Sequence, residues 1–97
     1  MAKLPSVYIL TNKPNGVLYT GVTSNLVQRI WQHKNKQSTG FSTKYNTNKL
    51  VWFEVTDSMV EAIVREKRIK AWKRQWKIEL IEKENPDWMD LYESICN

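Results

Sequence analysis

Ninety-seven residues provide for one domain, spanning 1–97, with a modest core, and leave no room for a catalytic module beside a separate recognition domain. Fifteen Lys and Arg against ten Asp and Glu give a net charge of +5, which favours anionic partners. A single cysteine, Cys96, excludes a disulfide framework and a cysteine metal cluster within one chain. No apolar run is long enough for a bilayer and no charged-then-apolar leader opens the chain, so the expectation is a cytoplasmic protein with no membrane partner.

Two segments, Ser6 to Asn12 and Val17 to Val22, are rich in Val, Ile, Leu, Tyr and Thr and read as strands. Between them Lys13-Pro14-Asn15-Gly16 is turn chemistry. An antiparallel hairpin closed by that loop puts Leu10 opposite Tyr19 and Gly21 opposite Tyr8, with the two phenols diagonal on one face, roughly 7–8 Å apart. Gly21 then leaves a hollow beside the Tyr8 ring. A register displaced by one residue would throw the rings onto opposite faces.

Thr23 and Ser24 are candidate caps for a helix from Asn25 to Lys36 that packs Leu26, Val27, Ile30, Trp31 and Lys34. Arg29 and His33, one turn apart at the border of that stripe, project together across the sheet. The polar stretch Asn35 to Asn48 reads as a long loop at the rim of a site, with Thr39, Gly40, Ser42, Lys44 and Tyr45 available to a ligand. Lys49 to Val55 is the third strand by composition.

Ser58 with Glu61 three residues later forms a capping box for a helix through Trp72. Its inward stripe is Met59, Ala62, Ile63 and Ile69, and Glu66 falls in the middle of it. A helix from Arg74 to Glu84 presents Trp76, Leu80 and Ile81. A last short helix after Asn85-Pro86, a natural cap and first-turn pair, presents Trp88, Leu91, Tyr92 and Ile95. The sum is an α+β fold, a small three-stranded antiparallel sheet flanked by helices in the order β-β-α-β-α-α.

The charge is concentrated. From Arg65 to Lys77 run seven cations broken only by Glu66, with Trp72 and Trp76 among them, and beyond Glu79 the sign reverses. Lys67, Lys70, Lys73, Arg74 and Lys77 are candidate contacts to a phosphate backbone, with the tryptophans for unstacked bases. The same residues also describe a solvated helix face whose lysine stems lie over core tryptophans. Glu66 poses a similar choice. A sheltered carboxylate seeks a metal or a cation, and Lys70, four residues on, offers an ordinary ion pair.

Taken in order, Tyr8, then Tyr19-Thr20-Gly21, then Arg29 with His33 four residues later, then Glu66, resemble the signature of the GIY-YIG nucleases from about Val7 to at least Glu66. Val7-Tyr8-Ile9 stands where the family has its first name triplet, and the small, single-domain UPF0213-like members are the nearest in kind. The resemblance implies that Tyr8 acts on the nucleophilic water, Tyr19 positions water or phosphate, and Arg29 stabilises the added negative charge. Glu66 would hold one Mg²⁺ or Mn²⁺, completed by water and substrate phosphate, and His33 would serve phosphate binding or proton transfer. Asn85 is either a helix cap or the counterpart of a polar residue that closes the site in some members.

Phosphodiester hydrolysis needs a base, positive charge on the phosphoryl oxygens and help for the leaving oxygen. A phenol of pKa about 10 is a poor base near neutrality, and a nearby guanidinium and cation would favour its phenolate. The expectation is therefore a metal-dependent endonuclease acting on nucleic acid, DNA in a repair or processing role, with a protein partner for targeting. The alternatives are a catalytically silent nucleic-acid-binding module of the same fold and a scaffold that binds an acidic protein through Arg65 to Lys77.

Overall fold

The strand β1 (Ser6–Thr11) is buried along its whole length, because it is covered on both faces and both edges. A computed structural model of the chain describes residues 4–36 and 44–96. In it β1 lies between β2 (Leu18–Thr23) and β3 (Lys49–Val55), antiparallel to both, in the strand order β2-β1-β3. The helices are α1 (Leu26–Lys34), α2 (Met59–Ala71), α3 (Arg74–Glu84) and α4 (Tyr92–Cys96). The α+β reading and its order of elements hold.

Alternation along β1 builds two cores. Val7 and Ile9 face Val51, Trp52, Ala62, Ile69, Ile81 and Trp88, in the layer formed by α2 and α3. Tyr8 and Leu10 face Leu26, Ile30 and Leu50, with Leu91, Tyr92 and Ile95 beside them, in the layer of α1 and α4. Each fully buried aliphatic side chain on β1 contributes about 1.5–3 kcal/mol.

The hairpin closes as its residues dictate. Gly16 N–H donates to the Lys13 carbonyl at 2.9 Å, with Pro14 supplying its fixed φ and Asn15 at φ 58°, the left-handed position of a type II turn. The Asn12 side chain accepts from Val17 N–H at 2.9 Å, so these two residues belong to the turn and the strands are one residue shorter or displaced from the expected bounds. Tyr8 lies opposite Gly21 and Leu10 opposite Tyr19, the register that puts both phenols on one face.

Helix α1 is capped by Asn25, one residue after Ser24 and two after Thr23. Asn25 accepts from Gln28 N–H at 3.3 Å, and Thr23 Oγ1 braces the cap by accepting from Asn25 N–H at 3.0 Å. Its buried stripe is Leu26, Ile30 and His33, spaced four and three. Trp31 is turned out and is 49% exposed, a correction to the expected packed face. Lys34 instead ties α1 to the end of the chain, pairing with Asp90 and donating to the Asn48 carbonyl at 2.9 Å. Of the expected loop residues, Lys44 and Tyr45 are exposed, while Thr39, Gly40 and Ser42 lie outside the described residues.

The capping box at Ser58 is present, its hydroxyl accepting from Glu61 N–H at 3.2 Å. On α2, Ala62 and Ile69 are buried but Ile63 is largely exposed. Trp76 on α3 is 50% exposed, stacked edge-on against Trp72 with ring centroids 6.2 Å apart, and not in the core.

Between Ile9 and Leu10 the β1–β3 register slips, so that Trp52 faces Ile9 and Leu50 faces Leu10. Val51 is the extra residue of a bulge, which lets Val51 and Trp52, neighbours in sequence, enter the same core. The segment that follows α3 closes this irregular edge. Asn85 Nδ2 donates to the Val51 carbonyl at 3.1 Å and to the Met89 carbonyl at 2.9 Å, and its Oδ1 accepts from Met89 N–H at 3.0 Å. Leu91 N–H donates to the Leu50 carbonyl at 2.7 Å, and Asp90 Oδ1 accepts from Leu50 N–H at 3.2 Å. Asn85 thus ends α3 and staples the edge of β3, whereas the next helix starts only at Tyr92. Replacing it leaves three backbone groups without their partner, each buried orphan costing about 1–3 kcal/mol. Asn85→Ala should lower the urea midpoint by an amount equivalent to about 2–4 kcal/mol with an unchanged m-value, and an unaltered midpoint would refute the staple.

Candidate active site

Because Gly21 has no side chain, the Tyr8 ring lies directly over it. A Cβ built on Gly21 would overlap the ring and its hydroxyl, with Tyr8 Cε2 at 2.9 Å and two further ring-end atoms closer still. The phenol of a central strand can therefore cross its neighbour β2 toward the sheet edge. Tyr19, diagonal to it, stands with ring centroids 6.3 Å apart, somewhat nearer than the pleat alone suggests.

His33 comes down onto both rings from α1, its centroid 5.8 Å from Tyr8 and 5.5 Å from Tyr19. Its Nε2 is hydrogen-bonded to the Tyr8 hydroxyl at 3.1 Å. Burial and the charge of Arg29 push the His33 pKa down from 6.5 to about 4, so the ring is neutral at pH 7. Burial, and then Tyr19, lift the Tyr8 phenol well above its ordinary value, and Arg29 opposes them through its charge and hydrogen bonding. With the phenol protonated and the imidazole neutral, one proton lies in their hydrogen bond, and the His33 tautomer sets which of the two donates it. Tyr8, Tyr19, Arg29 and His33 are brought together.

Glu66 arrives from the other layer. Helix α2 packs against β1 and β2, and the Glu66 carboxylate is felt by Tyr8 as the smallest of the influences on its phenol. Its side chain is 12% exposed and accepts from Lys70 Nζ at 2.9 Å, the ordinary pair that the spacing allows. Among the described residues no group of three or more His, Cys, Asp or Glu stands together as a metal cage. The donor set, one sheltered carboxylate, fits a hard cation that keeps water and phosphate as its other ligands, and does not fit a protein-only site.

The basic stretch divides. Lys67, Lys70 and Lys73 are exposed, and Lys73 Nζ lies 5.1 Å over the Trp76 ring. Lys77 is half-buried, its pKa lowered first by burial and then by the charges of Arg74 and Lys70. Arg74 is engaged with the hairpin, donating to the Asn15 and Gly16 carbonyls at 2.8 and 2.6 Å. Arg65 pairs with Glu54 at 2.9 Å and stacks between Trp52 and Trp72. Asn85 is bonded to the β3 edge and joins none of the site residues through a hydrogen bond.

A family model for the GIY-YIG catalytic domain matches residues 4–79. The chain belongs to the GIY-YIG family. Among its relatives are a UPF0213 protein of Staphylococcus saprophyticus, 37% identical over 75 residues that cover 77% of this chain and 90% of that protein, and a UPF0213 protein of Clostridium perfringens, 41% identical over 75 residues that cover 77% and 80%. The solution structure of a UPF0213 protein from Bacillus halodurans superposes with a TM-score of 0.56 at 25% identity, covering 92% of this chain and 94% of that one. GIY-YIG is a nuclease family, and the matched span includes the paired strands that carry Tyr8, Tyr19 and Gly21.

Two outcomes test the GIY-YIG site geometry. Gly21→Ala should displace the Tyr8 ring, destabilise the fold by about 1–3 kcal/mol and move the His33 pKa, followed by NMR of the ring protons, back toward 6.5. An unmoved His33 titration would mean that the ring does not rest on Gly21. The second concerns pH. His33 binds its proton less readily folded than unfolded, so stability falls as pH drops from about 6.5 to about 4, by about 2–3 kcal/mol in all. His33→Gln should flatten that part of the curve in urea titrations run side by side.

Proposed function

We propose that this GIY-YIG protein is a divalent-metal-dependent endonuclease that hydrolyses phosphodiester bonds, with DNA as substrate. The observation that carries the reading is the hydrogen-bonded Tyr8–His33 pair beside Tyr19 and Arg29, laid over a glycine at the edge of the sheet.

A phenol that is protonated at neutral pH serves as a relay better than as a standing base. As water attacks phosphorus, its proton passes to Tyr8 Oη while the Tyr8 proton passes to His33 Nε2, and the P–O bond to the leaving oxygen breaks. Arg29, which already opposes the deprotonation penalty at Tyr8, is placed to offset charge on the phosphoryl oxygens, a contribution commonly worth 10²–10³ in rate at about 3–4 kcal/mol. Tyr19 orients water or phosphate. Glu66 would hold the cation, which when bound supplies Lewis-acid polarisation of the phosphate and stabilises the departing oxygen. Lys67, Lys70, Lys73 and Lys77 would carry the neighbouring phosphates, and binding would weaken with salt through counterion release.

The Lys70–Glu66 ion pair favours a second reading, a catalytically silent nucleic-acid-binding module, since a carboxylate satisfied by lysine needs no metal. Nicking of plasmid and branched DNA with Mg²⁺ or Mn²⁺ separates the two. The endonuclease reading expects activity that chelation abolishes, that Arg29→Ala lowers by about 10²-fold or more, and that Glu66→Ala removes together with calorimetric Mg²⁺ binding. Variants as active as the parent, or a parent that binds DNA without binding metal, would overturn it.

A further inference from the structure

Away from the tyrosine site, the outer side of α2 and the end of β3 enclose an open groove of about 440 Å³, lined by Val55, Thr56, Val60 and Val64 among others. These are large apolar groups in water, with Val60 71%, Val55 48% and Val64 44% exposed, and a contiguous patch of this kind marks an interaction surface. The catalytic reading uses none of it. Glu66 falls on the opposite side of α2 from Val60 and Val64 by helical spacing.

The charges around the patch narrow the choice of partner. Val60, Val64 and Arg68 stand along one stripe of α2 at steps of four residues, and Asp57, two residues before the helix begins, lines the same groove, so that one end is acidic, the middle apolar and the other end basic. Asp57 and Arg68 are exposed, and among the described residues neither makes an ion pair or a side-chain hydrogen bond. Glu61 adds to the acidic end, while Arg65 at the floor is already committed to Glu54. A stripe of this pattern is complementary to itself when reversed. Two such helices packed antiparallel about a two-fold axis put valine on valine, Asp57 of one copy against Arg68 of the other, and the same pair again by symmetry.

We propose that the groove between α2 and the end of β3 is an isologous interface, and that its occupant is α2 of a second copy of this chain. The inference is independent of the nuclease reading, because it needs neither metal nor substrate. Each Asp57–Arg68 contact is a rim ion pair, so the two copies of it together amount to about tenfold in association, with the valines supplying the remainder.

Sedimentation equilibrium over a concentration series up to about 1 mM tests it, read as mass against the 11.5 kDa of one chain. The parent should rise toward twice that mass. Val64→Lys should hold the chain at the single mass. Asp57→Arg and Arg68→Asp should each weaken association about tenfold, and the double variant Asp57→Arg/Arg68→Asp should restore it, with far-ultraviolet circular dichroism confirming that all four variants fold. A parent that stays at the mass of one chain throughout overturns the proposal, including one that captures a different protein through this groove. So does a dimer that Val64→Lys leaves intact, or a charge swap that fails to restore what the single changes remove.

Discussion

The architecture turns on a phenol from the buried central strand having to pass over its neighbour to reach the edge of the sheet. Only a residue without a side chain at position 21 permits it, since a Cβ there would occupy the space of the ring. Once Tyr8 lies in that position its hydroxyl is sheltered, and a sheltered polar group needs a partner. His33 meets that need from α1, and in doing so is itself buried. Burial keeps both groups neutral, raising the phenol and lowering the imidazole, while Arg29 opposes the rise at Tyr8 and adds to the fall at His33.

The site also joins the two layers. Three rings and a guanidinium come from the hairpin and α1, whereas Glu66 comes from α2 on the far side of the sheet. The groups meet electrostatically around β2, an edge strand. Arg74 stitches the start of α3 to the hairpin turn, so the helix that continues the basic stretch is anchored to the same strands that carry the tyrosines. The GIY-YIG match ends at residue 79, before the segment that closes β3.

Much of this was legible from residue types. Pro14-Asn15-Gly16 settled the turn, an even loop kept both tyrosines on one face, and Ser58 with Glu61 marked the start of α2. What could not be read had a tertiary cause in each instance. Trp31 looked like a core residue and His33 like a border one, but the polar partner that makes burial of His33 tolerable lies on another element. Trp76 is open in sequence between the core and an exposed aromatic face, and it lies outside because the layer over α3 is filled by Ile81 and Trp88. The bulge at Val51 has no signature in composition, and Asn85, which resembles a helix cap in its Asn-Pro setting, spends its amide on that bulge 34 residues upstream. For Glu66 the lysine pair that the spacing allows is present, and the carboxylate also acts weakly on Tyr8.

That bulge has a bearing on how the molecule matures. Strand β3 is an outer strand, and around Leu50 and Val51 the peptide groups on the side away from β1 are met by residues 85–91. In chain order these residues come after all three strands, so a sheet that pairs before they dock has an irregular, uncovered border. The polar clasp that follows α3 thus acts as a built-in guard against chain-to-chain strand pairing, and any shortened form lacking it would tend to aggregate through that edge.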